Sequence, residues 1–254
     1  YSFKAKARNS AGWETTESAT VSTYTLAAAT VPQGGVSPFT PVYATSMTVS
    51  WSSGTDAGGY NGPGASYLLQ ASTMATFAPV AGSSLTFAAT AVVGGLTPNA
   101  THYLRVRPYN SGGMPDDWFN LGSIVTLANP ALSAASTYTM VGLTSMTVTW
   151  DGNSNAAGTR YDVVFTTYFP FSNVVTVSTN PYGTPAATGA GLLPNATYYP
   201  VVFSFNRAGV PSGETPLGST ATRIETPSTV LVTAVTSHSV VAAASSPVGA
   251  FSNL

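Results

Sequence analysis

The sequence predicts an all-β chain of tandem, two-layer antiparallel sandwiches, and three observations carry that reading. Apolar and hydroxyl residues alternate with period two in Met47-Thr48-Val49-Ser50-Trp51, which puts one strand face on a core and the other in water. The pattern returns as Met146-Thr147-Val148-Thr149-Trp150, within a longer match between Ser46–Trp51 and Ser145–Trp150. No stretch shows sustained helical periodicity, and Gly and Pro clusters punctuate the runs. One such cluster, Gly58-Gly59-Tyr60-Asn61-Gly62-Pro63-Gly64, reads as a loose strand connection.

Along the chain, Tyr1, Phe3, Ala5 and Ala7 alternate with Ser2, Lys4, Lys6 and Arg8, a strand that closes on Asn9-Ser10-Ala11-Gly12. Leu96-Thr97-Pro98-Asn99-Ala100-Thr101 returns as Leu192-Leu193-Pro194-Asn195-Ala196-Thr197. A strand-like run follows each copy, closing on Asn110-Ser111-Gly112-Gly113 and on Asn206-Arg207-Ala208-Gly209. Near the end, Thr236-Ser237-His238-Ser239-Val240-Val241 matches Thr144–Thr149. The repeating unit is about 100 residues, the size of a small β-sandwich. The junctions Thr25-Leu26-Ala27, Thr126-Leu127-Ala128 and Thr222-Arg223-Ile224 contain no Gly and are followed by Pro32, Pro130 and Pro227. They predict short, Pro-stiffened links. The expected organisation is the last part of one copy over 1–28, complete domains over 29–128 and 129–224, and the first part of a further copy over 225–254. This reads as a window of a longer, rod-like array in which each domain touches its neighbours.

These residues resemble the fibronectin type III domain, and the resemblance covers essentially the whole chain. The family's second strand carries a core Trp, matched by Trp51 and Trp150, and its third opens with a Tyr, matched by Tyr67 and Tyr161. A Leu-x-Pro-x-x-x-Tyr stretch leads into the sixth strand. Leu192, Pro194 and Tyr198 fit it; Leu96 and Pro98 fit it with His102 in the Tyr position; Tyr1 fits as the same Tyr of the first copy. Asn9, Asn110 and Asn206 match the closing Asn, and Ala242 stands where the last copy's Trp should be. The resemblance implies tandem seven-strand antiparallel β-sandwiches, fibronectin type III or immunoglobulin-like. The Ala/Ser/Thr/Gly-rich tone is similar to bacterial surface proteins that carry many such domains.

Composition narrows the function. The 254 residues carry no Cys, 7% charged residues and a net charge of −1. This excludes disulfides and thiol chemistry, and argues against a nucleic-acid partner, whose phosphates demand a basic surface. No apolar run reaches the roughly 18 residues of a membrane helix, so no membrane insertion is expected. The two histidines fall in different copies. His102 reads as a corner residue bonding back to its turn and His238 as a strand-rim residue, so no catalytic residue, cofactor or metal is expected. Lys4, Lys6 and Arg8 read as a solvated basic stripe that Arg105 and Arg107 echo. Asp116-Asp117-Trp118, between the sixth and seventh strands, is the one candidate loop contact; adjacent carboxylates rarely converge on an ion. Asn99-Ala100-Thr101 and Asn195-Ala196-Thr197 match the glycosylation sequon, but Asn there is also good turn chemistry.

Outward positions of the sixth strand change from Ser2, Lys4, Lys6 and Arg8, through Tyr103, Arg105, Arg107 and Tyr109, to Tyr199, Val201, Phe203 and Phe205. Val164 shares the parity of the last set, and Tyr168, Phe169 and Phe171 follow it. A wholly apolar face is expected there and marks a partner interface, with a second copy as its first candidate. A bulge at Pro200 is the competing expectation, since it would turn these side chains inward. The function expected is a non-catalytic extracellular or cell-surface structural and adhesive repeat: a stalk, adhesin or self-assembling filament. Its partners would be a second copy, a cell-surface or matrix component, or a glycan. The alternative is a spacer or carbohydrate-binding region of a secreted polysaccharide-degrading enzyme.

Overall fold

A computed structural model describes residues 1–34, 37–168, 174–180 and 184–245. Among the described residues every regular element is a strand, and no helix is long and apolar enough to cross a membrane. The chain divides into two compact units, Tyr1–Leu127 and Ala128–Leu254.

The first unit opens with a hairpin of β1 (Ser2–Phe3) and β2 (Val21–Ser22). Its sandwich follows: β3 (Phe39–Val42), β4 (Ser46–Ser50), short β5 (Gly54–Thr55) and β6 (Gly59–Tyr60), β7 (Ser66–Ser72), β8 (Gly82–Thr86), β9 (Thr90–Gly94), β10 (Thr101–Tyr109) and β11 (Phe119–Val125). A sheet ordered β3-β4-β9 faces one ordered β11-β10-β7-β8. Alternation decides what lies between them. Met47 and Val49 with Trp51 just beyond β4, Tyr67, Leu69 and Ala71 of β7, and Leu104 and Val106 of β10 form one buried cluster. Trp51 packs on Tyr67 at 5.6 Å between ring centroids and 58° between planes, an arrangement aromatic quadrupoles favour.

The second unit repeats the plan with β12 (Leu132–Val141), β13 (Ser145–Asp151), β14 (Arg160–Thr166), β15 (Val174–Asn180), β16 (Ala186–Ala190), β17 (Thr197–Phe205), β18 (Pro211–Pro216) and β19 (Thr220–Ala221). Here β12-β13-β16 faces β15-β14-β17-β18, and β19 also pairs with β17. Trp150 packs on Tyr161 at 5.4 Å and 57°, so the same pair seats both cores. Three strands facing four, in this order, is the fibronectin type III-like sandwich. A hairpin of β20 (Thr229–Val235) and β21 (Val240–Ser245) follows, with Val230, Leu231 and Val240 exposed.

The corner before the sixth strand is built alike in both units. Tyr198 is buried, and its hydroxyl accepts the Leu193 N–H at 2.8 Å. His102 is buried in the equivalent place, with Nε2 3.1 Å from the Thr97 carbonyl. A carbonyl only accepts, so Nε2 carries the hydrogen. The Thr126 hydroxyl also donates to Thr97 O at 2.7 Å, and the Thr222 hydroxyl to Leu193 O at 2.6 Å. His238 is exposed, beside the Ser237 hydroxyl at 2.6 Å. The segment read as a loose connection is instead ordered. β5 pairs with β6, Gly59's carbonyl fills the space a side chain at position 54 would need, and the Tyr60 hydroxyl donates to Asp56 at 2.7 Å.

Truncating Trp51 or Trp150 to Ala should cost about 3–5 kcal/mol in chemical denaturation, through lost burial and the cavity left behind. Replacing His102 with Tyr should leave stability nearly unchanged. His102→Phe should cost only about 1 kcal/mol, because Thr97 keeps its bond from Thr126. Burial pushes the Tyr138 phenol up to about 12, and its hydroxyl has no hydrogen-bond partner among the described residues. An unfolded tyrosine ionises near pH 10, so the folded unit binds the extra proton between the two values. The Tyr138 contribution should therefore be flat below about pH 10 and be lost as pH rises towards 12, and Tyr138→Phe should lessen the alkaline fall, leaving the part due to Tyr161, whose phenol burial also raises.

Candidate functional site

The outer face of the four-stranded sheet in the first unit carries an ordered stack of rings and guanidiniums. Parity sends Tyr103, Arg105, Arg107 and Tyr109 of β10 away from the core. The Arg105 guanidinium lies 4.1 Å from the Phe77 ring centre and 4.0 Å from that of Trp118. Arg107 lies 4.6 Å from Trp118 and 5.2 Å from Tyr109. The order is thus Phe77, Arg105, Trp118, Arg107, Tyr109. Hydrogen bonds fix both cations edge-on. Arg105 Nε and Nη2 donate to Gln70 Oε1 at 3.1 and 2.8 Å, and Arg107 Nε and Nη2 to the Tyr109 hydroxyl at 3.2 and 2.9 Å. Burial, and then the charge of Arg107, hold Arg105 below its ordinary pKa. Phe77 has φ of +56°, strained for a side chain with a ring, and is buried although it sits outside the core cluster.

Asp116, Asp117 and Trp118 sit in three different surroundings. Trp118 is committed to the stack, Asp116 is half-buried with its N–H on the Pro108 carbonyl at 2.9 Å, and Asp117 is exposed. Among the described residues no group of three acidic, His or Cys side chains could hold a metal.

In the second unit β14 and β17 pair without interruption from Arg160↔Phe205 to Thr166↔Tyr199. No bulge on that side turns the odd-numbered residues inward, and Phe203 and Phe205 stay out of the core cluster. The face nevertheless differs from a wholly apolar one. Val201 is fully buried within its own unit, while Tyr199, Val164, Phe203 and Phe205 are half-buried. Asp162 and Glu214 flank Phe203 in register, and Arg160 stacks 3.8 Å over the Phe205 ring and bonds Asp162 at 3.2 Å. Tyr168 is exposed; Phe169 and Phe171 lie outside the described residues. In the N-terminal hairpin, Lys4 pairs with Glu17 at 3.0 Å and Lys6 with Glu14 at 3.5 Å. The two sequons separate as well. Asn99 is buried at 1% exposure and Asn195 is exposed, both at φ of 50°.

A second recurrent feature is a side-chain clamp on the segment leading into each sandwich. The Asn61 amide bonds both backbone groups of Ala28, at 2.6 and 2.9 Å, and the Ser53 carbonyl at 2.8 Å. Asn155 does the same to Asn129, at 2.8 Å each way, and Asn153 donates to the Pro130 carbonyl at 2.9 Å. Asn110 adds a bond to the Thr25 carbonyl at 2.8 Å. Sequence reading missed both the clamps and the stack. The clamp was findable as an Asn recurring at nearly the repeat spacing; the stack needs Phe77 and Gln70, which no repeat marks.

Trp118→Ala should destabilise the first unit by about 1–3 kcal/mol, since it removes two cation–π contacts and uncovers Arg105; Trp118→Phe should recover most of that loss in the same denaturation assay.

No protein-family model matches the chain, and no curated protein matches it. Among solved structures it is similar to a two-domain fibronectin type III segment from chicken tenascin, at 12% identity over 72% of this chain and 96% of that one, TM-score 0.44. It is also similar to the chicken CNTN1 FN1–FN3 domains, at 16% identity over 87% of this chain and 75% of that one, TM-score 0.33. At these values the description of the chain as tandem fibronectin type III-like sandwiches rests on its own strand order.

Proposed function

We propose that the chain is a non-catalytic structural and adhesive repeat, working outside the cell or on its surface. Its mechanical role is to hold sandwiches in series at set spacing and to display their outer faces. The observation that carries the reading is the recurrent clamp: Asn61 on Ala28 and Asn155 on Asn129 tie each incoming segment to its own sandwich through paired backbone bonds. A side chain that imitates a strand partner removes freedom where a flexible linker would have it. The glycan-platform alternative needs aromatic rings with open faces. Trp118, one of several rings on this sheet face, already has two guanidiniums stacked on it.

The test is small-angle scattering on the whole chain, with Asn61→Ala and Asn155→Ala combined. Each substitution removes three hydrogen bonds, two of them to the incoming segment, about 2 kcal/mol of local tethering. The variant should show a broader distance distribution and faster proteolysis within residues 25–31 and 127–132, with unchanged circular dichroism. Identical scattering and cleavage would contradict the role given to the clamps.

A further inference from the structure

The outer face of the sixth strand is neutralised differently in each copy. In the first, glutamates of the same hairpin pair with Lys4 and Lys6. In the second unit, Asp162 answers Arg160, while Glu214 on β18 is exposed and has no ion-pair partner among the described residues. In the first unit the stack offers Arg105 and Arg107 rings, an amide and a phenol, and no carboxylate lies within ion-pair distance of either among the described residues. Each guanidinium has spent its Nε hydrogen and one Nη2 hydrogen on these neighbours, which leaves both Nη1 hydrogens and the second on Nη2 to donate to an anion.

We propose that this cationic face docks on the Phe203 face of the second unit of another copy of the same chain. The inference rests on the adhesive reading above and names the partner. The two faces are complementary in charge: Arg105 and Arg107 have no carboxylate partner and Glu214 beside Phe203 has no cationic one among the described residues, while Asp162 is already held by Arg160. β10 presents Arg105 and Arg107 between aromatic rings. β17 presents Phe203 between Asp162 and Glu214, with Phe205 and Tyr199 on either side. Arginines locked by stacking lose little side-chain freedom on binding, and Arg with aromatic rings is the composition of interface hot spots. Glu214 sets register and steers the approach, while the Phe rings exclude water from its charge pair. Contacts of this kind gain strength through repetition along an array.

The test is sedimentation equilibrium of the full chain over a concentration series at low and high salt. Wild type should self-associate, and roughly half-molar salt should weaken it. Glu214→Arg, at an exposed position, and Arg107→Glu should each weaken association at least tenfold with circular dichroism unchanged. Mixing the two variants should restore it, because native meets native in one pairing and reversed meets reversed in the other. Three results would overturn the proposal: wild type monomeric at millimolar concentration in low salt, variants that associate like wild type, or a mixture that fails to recover. Binding of a sulfated polysaccharide that Arg107→Glu abolishes and Glu214→Arg spares, without self-association, would make this face a polyanion site instead. Any of these leaves the scattering test of the clamps untouched, so the two readings fail separately.

Discussion

Every outward feature of this chain depends on where one indole goes. Trp51 and Trp150 are buried between sheets and seated on Tyr67 and Tyr161, and this fixes the parity of each strand around them. A slip of one residue would carry the Trp into water and the hydroxyls into the core, a cost no other contact here offsets. With parity fixed, β10 must bury His102, Leu104 and Val106 and present Tyr103, Arg105, Arg107 and Tyr109. The core is therefore shared between the copies, and the outer face is free to differ.

The differences follow one physical theme. A charged side chain on a flat sheet face needs a partner or water. The N-terminal hairpin supplies glutamates, the sandwich of the first unit supplies aromatic rings, and the second unit has Val201 and Phe203 where the first has Arg105 and Arg107, with Arg160 stacked on Phe205. Ring stacking orders a guanidinium without neutralising it, so the first unit carries its charge forward to whatever binds. Phe77, beneath Arg105, has a positive φ, a backbone conformation uncommon for a residue with a ring.

The fold was legible because the signals that specify it are local and repeated. Alternation in Ser46–Trp51 and Ser145–Trp150 and the Leu-x-Pro turn give strand, face and corner without tertiary information. His102 could be placed because Tyr198 occupies the same position in the other copy and bonds back to the same turn. The outer faces were less legible. Reading β17 alone gives an apolar row, but Asp162 and Glu214 reach Phe203 from neighbouring strands, and strand register across a bulged edge is not written in either strand. Trp118 looked like part of an acidic loop because its partners come from β10 and from Phe77, distant in sequence. The Gly-rich run around Asn61 looked loose because the bonds that order it are made to Ala28 and Ser53, outside the run.

The central claim is that a uniform core frees complementary outer faces to act as the contact surfaces of the repeat. Hydroxyl-radical footprinting of the full chain across a concentration series addresses it side chain by side chain. Tyr109, Phe203 and Phe205 should lose reactivity as concentration rises, while exposed Trp13 and Tyr43 stay constant and buried Trp51 and Trp150 stay silent throughout. Reactivity of Tyr109, Phe203 and Phe205 that is independent of concentration, or protection that appears at Trp13 and Tyr43 instead, would contradict it.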